Sequence, residues 1–507
     1  MNTPREEISY GNLTKPTLPG FGRLGAAASG FLVVAAMVLM ALVALQLLTA
    51  AVVWTVIAVA VVAPAAFPRK DGYGRYQAFF RRRKHRASER SGHAGLQQGL
   101  AGHVPDGDCR LPGLAASTRL RSAHDIHGRE FGLICWPDAA LYSVVIECFP
   151  PGFDGTDKHT VDGYLAHWAG WLGRLNTVED VVGAAVVVET VPDSGRRLVR
   201  AMQRGRVPDA PELARGVSDQ IVASYRIGSP QTTVRLTLTL CGVPVDGESD
   251  ARSVDEMATM IGDLLPTWTG QLDLTGAGTG ARPCTAQEIT DATRVAFDPS
   301  VAEMVEEAQL ASSEGGTGTG ITWSQAGPIS AWNHADEYVH EHAISRTWQM
   351  KEPPRGFFFA KTLSALLAPH RDIARKRVAV LYRPENPESS ATSSEADVKK
   401  ARFRLTQGRH ARAEHEDSLA AAKRNTQQVA LGSPLIRVGM LVTITVSDPG
   451  ELQRASRAVR TGMAGQARIA LRLPRGAQDM AFLASMPLGL VPQVALRTPG
   501  KQDWTEQ

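Results

Sequence analysis

LGAAASGFLVVAAMVLMALVALQLLTAAVVWTVIAVAVVAPAAF, residues 24–67, holds no charged side chain, and the fold turns on how it is read. Its clearly polar side chains are Ser29, Gln46, Thr49 and Thr55. One unbroken helix of that length would run about 66 Å, roughly twice the hydrocarbon thickness of a bilayer. Two helices, Gly25–Leu45 and Leu48–Phe67, with a break near Gln46–Thr49, fit a two-span transmembrane hairpin better. A soluble helix pair would keep a polar stripe, and a cleaved signal peptide has a shorter apolar region near the very start.

The flanks of the run are basic. Arg5, Lys15 and Arg23 precede it, and Arg69, Lys70, Arg75, Arg81, Arg82, Arg83, Lys84, Arg86 and Arg90 follow it. Positive residues on both sides place both flanks in the cytoplasm. The expectation is therefore a plasma-membrane protein with two spans and cytoplasmic N- and C-termini. Arg69, Lys70, Arg81, Arg82, Arg83, Lys84 and Arg86 form a membrane-flanking basic cluster suited to anionic lipid headgroups. Contact with DNA is the rival reading of the same cluster.

The rest of the 507 residues has globular composition, 43% hydrophobic and 21% charged, enough for a sizeable core. The net charge of +4 is small, which argues against a general nucleic-acid binder. Cys109, Cys135, Cys148, Cys241 and Cys284 are odd in number and form no C-x-x-C pair. Neither a disulfide framework nor a zinc site follows from them.

Hydropathy and turn signals divide the chain into a tail at 1–23, the hairpin at 24–67, a basic linker at 68–110, a first α+β domain at 111–273, a second α+β region at 274–500 and a tail at 501–507. Glu130–Trp136 and Leu141–Phe149 read as strands. Thr160–Leu175 reads as an amphipathic helix, with Val161, Leu165, Trp168, Trp171, Leu172 and Leu175 at helical spacing. Strand Gly183–Val191, helix Pro211–Tyr225, strand Thr232–Cys241 and helix Ser253–Leu265 complete the first domain. In the second, strands Ala343–Met350 and Arg377–Tyr382 precede a long or broken exposed charged helix, 394–428. Strand Leu435–Val446, helix Pro449–Thr461, strand Ala467–Leu473 and helix Gly476–Ala484 close the chain. The segments Thr232–Leu265 and Leu435–Thr461 share one grammar, a long strand and then a helix, which points to two related ferredoxin-like units in an α+β fold.

The sequence offers no catalytic centre. Gly276–Gly280 and Gly315–Gly320 are glycine-rich but lack the Gly-Lys-Ser/Thr ending of a P-loop, and both read as linkers. His334, Asp336, His340 and His342, around Glu337 and Glu341, form a polar cluster without H-E-x-x-H spacing. There is no G-x-S-x-G elbow. Trp168, Trp171, Trp323, Trp332 and Trp348 read as core or interface anchors. The reading is of a non-enzyme with no cofactor and no metal.

The order of features carries a resemblance. Tyr10-Gly11-Asn12, Pro16 and Pro19-Gly20 precede the hairpin; Leu367-Ala368-Pro369-His370, Arg375-Lys376-Arg377-Val378 and Leu381-Tyr382-Arg383-Pro384 follow; Leu488-Gly489-Leu490-Val491 comes near the end. So arranged, the chain resembles the integral membrane proteins encoded in actinobacterial conjugative elements. Its hairpin is similar to that of the PrgI family, and its remainder looks like the non-ATPase amino-terminal region of VirB-type conjugation ATPases of type IV secretion systems. The resemblance implies a membrane-anchored scaffold subunit of a conjugation apparatus, partnered by lipid, by other membrane subunits, by a separate P-loop ATPase and by further copies of itself. The alternatives are an EccE-like membrane component of a type VII secretion system and a membrane-tethered enzyme.

Overall fold

Leu141–Cys148 shows how the chain sorts its side chains: Val144 and Ile146 enter one hydrophobic core and Leu141 and Val145 another. Such period-two sorting is what a strand buried on both faces does. The structure, a computed structural model, describes residues 13, 26–66, 74–102, 107–152, 155–175, 178, 180–207, 209–225, 230–243, 251–312, 318–354, 360–385, 387–407, 412–432 and 435–496.

In chain order its elements begin with helices α1 (Ala26–Ala44), α2 (Leu48–Ala66) and α3 (Arg75–Arg90) and strand β1 (Gly95–Gln97). Strands β2 (Arg119–His124), β3 (Glu130–Trp136) and β4 (Leu141–Cys148) lead to α4 (Lys158–Leu175) and β5 (Val181–Pro192). Helices α5 (Arg196–Arg204) and α6 (Glu212–Ser224) precede β6 (Pro230–Cys241), α7 (Val254–Leu272), β7 (Arg282–Pro283), α8 (Ala286–Phe297) and α9 (Ala302–Ser312). Then come β8 (Ser330–Asn333), β9 (Tyr338–His340), β10 (Ala343–Glu352), α10 (Ser364–Leu367) and β11 (Arg375–Pro384). Helices α11 (Pro387–Gln407) and α12 (Arg412–Ala430) are followed by β12 (Ile436–Val446), α13 (Pro449–Arg457), α14 (Ala464–Gln466), β13 (Ala470–Arg472), α15 (Gln478–Ser485) and α16 (Pro492–Ala495).

The fold is α+β, built on one 13-stranded sheet of order β1-β8-β9-β10-β12-β11-β5-β6-β4-β3-β2, with β7 beside β4 and β13 beside β10; every pairing is antiparallel. Within it the same plan occurs twice. In the first half β4-α4-β5-β6-α7-β7 pair in the order β7-β4-β6-β5; in the second β10-α10-β11-β12-α13-β13 pair as β13-β10-β12-β11. Both are the β-α-β-β-α-β arrangement, with a helix pair inserted between the second and third strands, α5–α6 in one and α11–α12 in the other. β5 and β11 join the halves, from Lys376↔Thr190 to Tyr382↔Ala184, so an approximate two-fold axis passes beside Val187 and Ala379. The regions 111–273 and 274–500 thus share one sheet.

Each half has its own core on one face. Phe131, Leu133, Val144, Ile146, Leu236 and Leu238 pack under α4 and α7, with Trp171 and Ile261; Val442, Ile444 and Trp348 pack with Leu452 and Val459 of the second half. The opposite face is shared. There Ile134, Trp136, Leu141, Val145, Val187 and Ala379 meet Phe297 of α8, Phe482 of α15, and Met486, Leu488 and Leu490. Gly489 lies so close to this face that an added Cβ would sit 2.2 Å from Ser143 Oγ, and its carbonyl accepts from Thr239 Oγ1 at 2.8 Å.

The expected membrane hairpin is corrected. Leu45–Leu47, with Gln46 at φ 54°, divides the apolar run into two helices of 19 residues each. Among the described residues no helix is long and apolar enough to cross a membrane, so the two-span topology and the plasma-membrane location with cytoplasmic termini derived from it do not stand. The two helices pack on each other, with Ala35 and Ala51 buried and Trp54 Nε1 donating to the Ala35 carbonyl at 3.0 Å, while Met40, Val52 and Val56 are exposed. The charged segment 394–428 is two helices, α11 and α12, packed together over Ser394, Ala401, Ala421 and Ala422.

Candidate functional site

Of the basic cluster, Arg81, Arg82, Arg83, Lys84 and Arg86 lie on α3 and are exposed; Arg69 and Lys70 lie outside the described residues. The helix is held to what precedes it by Tyr76, whose hydroxyl donates to the Val61 carbonyl at 2.7 Å. Its other side faces the second half of the sheet. Arg81, Lys84 and His85 form one wall of a groove, with Arg475, Met480 and Pro492 among the residues opposite.

The α5–α6 pair projects from the first half. Arg196 reaches Glu303 at 3.1 Å and Glu307 at 2.6 Å, Arg197 reaches Glu306 at 3.0 Å, and Tyr225 donates to Asp193. Exposed ion pairs of this kind are screened by solvent and orient the pair without burying it. Leu213, Val217 and Ile221, one helical turn apart on α6, are exposed by 81%, 48% and 41%. The insertion of the second half differs in kind, since α11 and α12 bury small side chains against each other.

At the seam between the halves the shared face opens into a cleft of about 680 Å³, lined in part by α8, α9 and the ends of β5 and β12. A charge ladder runs across the strands there, with Glu147, Glu189, Arg235 and Arg375 in the cleft lining. Glu147 of β4 stands opposite Arg235 of β6, and Glu189 of β5 stands opposite Arg377 of β11. Arg377 donates to Glu189 at 2.7 Å and lies 5.5 Å from the Phe482 ring centroid, while its Nε and Nη1 have no hydrogen-bond partner among the described residues. Arg282 bridges Glu147 at 2.6 Å and Glu288 at 2.7 Å. Burial alone would raise the Glu189 carboxyl, but the guanidiniums of Arg377, Arg235 and Arg375 outweigh it and hold the group below the usual carboxylate range. Cys284, also in the lining, is pushed up to about 12 by burial, so its thiol is not poised as a nucleophile.

The histidine cluster separates. His340 ends β9, fully buried, and its Nδ1 donates to the Phe297 carbonyl at 2.5 Å. Because that carbonyl can only accept, Nε2 is the acceptor for Ser345 Oγ at 2.8 Å, and Ser345 in turn accepts from Thr445 at 2.8 Å. His342 lies beyond the turn at Glu341, φ 46°, with its side chain 76% exposed and 3.6 Å from Asp298. Asp298, Glu341 and His342 come together as metal ligands would. Arg294, however, already takes Glu341 at 2.7 and 2.8 Å and Asp298 at 3.4 Å, so the two carboxylates have a resident cation.

Gly276, Gly278 and Gly280 form a tight left-handed turn, with φ of 78°, 91° and 88°. It packs on the end of β4, where Phe149 N donates to the Ala277 carbonyl at 2.8 Å. Trp171 and Trp348 are buried as expected, whereas Trp332 is half exposed. The cleft was not legible in the sequence, because its arginines and glutamates come from strands far apart in the chain. The one local signal was alternation, with Arg375 and Arg377 two apart on a strand. No protein-family model matches this chain, and no curated protein matches it.

Proposed function

We propose that this chain is a scaffold subunit of a conjugation-type secretion apparatus that receives a separate P-loop ATPase on its α+β surface. The observation that carries the reading is the tandem plan: two β-α-β-β-α-β units joined edge to edge, with α5–α6 projecting and offering Leu213, Val217 and Ile221 to solvent. An apolar helical stripe at spacing four is what a partner's groove accepts. It adds to the ordered resemblance, from Tyr10-Gly11-Asn12 to Leu488-Gly489-Leu490-Val491, to the conjugation proteins.

Affinity capture of the full-length chain from its own host, with partners identified by mass spectrometry, tests this. The expected result is a P-loop conjugation ATPase with the native chain and its loss with Leu213→Glu/Ile221→Glu, two exposed substitutions that leave the circular dichroism spectrum and melting temperature unchanged. Capture of type VII components in place of the ATPase, or equal capture of the ATPase by the double variant, would overturn it.

A further inference from the structure

We infer that the groove between α3 and the second half of the sheet binds a single-chain amphiphile, an apolar tail with one anionic head, carboxylate or phosphate. Two kinds of surface meet in its lining. Leu381 of β11, Leu441 of β12, Met480 and Ala484 of α15, and Pro492 of α16 form an apolar bed. Arg81 and Lys84 of α3 and Arg475, just before α15, supply charge of one sign, and no carboxylate is among the lining residues. Helical spacing makes the wall: Arg81, Lys84, His85 and Ser88 fall on one face of α3. His85 fixes that face to the sheet side by packing on Gly476, where an added Cβ would lie 3.4 Å from the His85 Cβ.

Neighbouring carboxylates do not cancel the wall. Asp336 meets Arg475 at 3.3 Å, Glu89 meets His85 at 3.2 Å, and burial raises the pKa of Asp479 beside His85. Lys84 makes neither an ion pair nor a side-chain hydrogen bond among the described residues. Asn333, also in the lining, spends its Oδ1 on the backbone N–H groups of Gln478 and Asp479 at 3.2 and 3.4 Å, which leaves its amide nitrogen to donate. Donors and cations beside an apolar bed suit a ligand whose polar end only accepts and whose remainder is hydrocarbon. The volume, about 540 Å³, is that of a small-molecule site. A nucleic-acid backbone would satisfy the wall and leave the apolar bed uncovered.

The test is calorimetric titration of the full-length chain with decanoate in one arm and decyl phosphate in the other, both below their micelle concentrations. Decyltrimethylammonium, a cation on the same tail, is the control. Saturable binding of at least one anionic probe, weakened about tenfold by Arg81→Gln/Lys84→Gln and by Met480→Gln, is the expected result. Decanoate binding alone identifies a carboxylate head, decyl phosphate binding alone a phosphate head, and binding of both a site that reads charge on either. The exposed apolar side chains of α1 and α2 also attract hydrocarbon, but that background is shared by the cationic probe and untouched by the variants. Each variant is compared with the native chain by circular dichroism. Absence of saturable anion binding, equal affinity for the cationic probe, or native affinity in a folded Arg81→Gln/Lys84→Gln protein would overturn the inference.

Discussion

Acidification should unlock this fold through His340. The imidazole is fully buried between Phe297, Tyr338 and Phe482 and spends both nitrogens on neutral partners, the Phe297 carbonyl and Ser345. Burial, with Arg377 nearby and only partly offset by the Phe297 carbonyl and Asp298, lowers its pKa from 6.5 to about 4. The unfolded chain therefore takes up a proton below about pH 6.5 that the folded chain refuses until about pH 4, so the contribution is complete above 6.5 and is lost as the pH falls. Integrating that difference gives a loss of about 2 kcal/mol at pH 5 and about 3 kcal/mol near pH 4. Denaturant unfolding at pH 8, 6 and 5, for the native chain and for His340→Gln, isolates the effect, because every other carboxylate and histidine titrates in both. Gln keeps one donor and one acceptor and cannot charge. The native chain should lose about 2 kcal/mol more than the variant between pH 8 and pH 5. Parallel pH dependence of the two proteins would refute the argument.

Lys376 gives the mirror case at high pH. It is buried, its Nζ donates to the Ala368 carbonyl, and burial lowers its pKa from 10.5 to about 8. The folded chain releases this proton above about pH 8 while the unfolded chain holds it to about 10.5, so between pH 7 and pH 10 the native chain should gain about 2 kcal/mol relative to Lys376→Met, in which the cysteines titrate equally; parallel pH dependence of the urea midpoints in the two proteins would refute it. Gly278→Ala should cost about 2–4 kcal/mol, because a Cβ would lie 1.8 Å from the Phe149 carbonyl oxygen at a φ of 91°. Gly280→Ala, at φ 88° in open space, should cost only about 1–2 kcal/mol of backbone strain, and equal thermal shifts for the two would refute the close-approach argument.

By itself the sequence determined most of the local structure and its class. The strands Glu130–Trp136 and Leu141–Cys148, the helix ending at Leu175 and the pair of strand-helix segments after Pro230 and Ile436 followed from periodicity, which records which face each side chain must bury. It also located the break at Gln46, but the two-span reading of the apolar run did not stand, since among the described residues no helix is long and apolar enough to cross a membrane. Short strands such as Tyr338–His340 and Arg119–His124 carried too few residues to declare a period. Only the tertiary structure decided that β5 and β11 pair and fuse two units into one sheet, because strand pairing is made by backbone groups that every residue shares. The same pairing set Glu189 opposite Arg377, 188 positions away. Register across a sheet, not order along the chain, made the charged cleft.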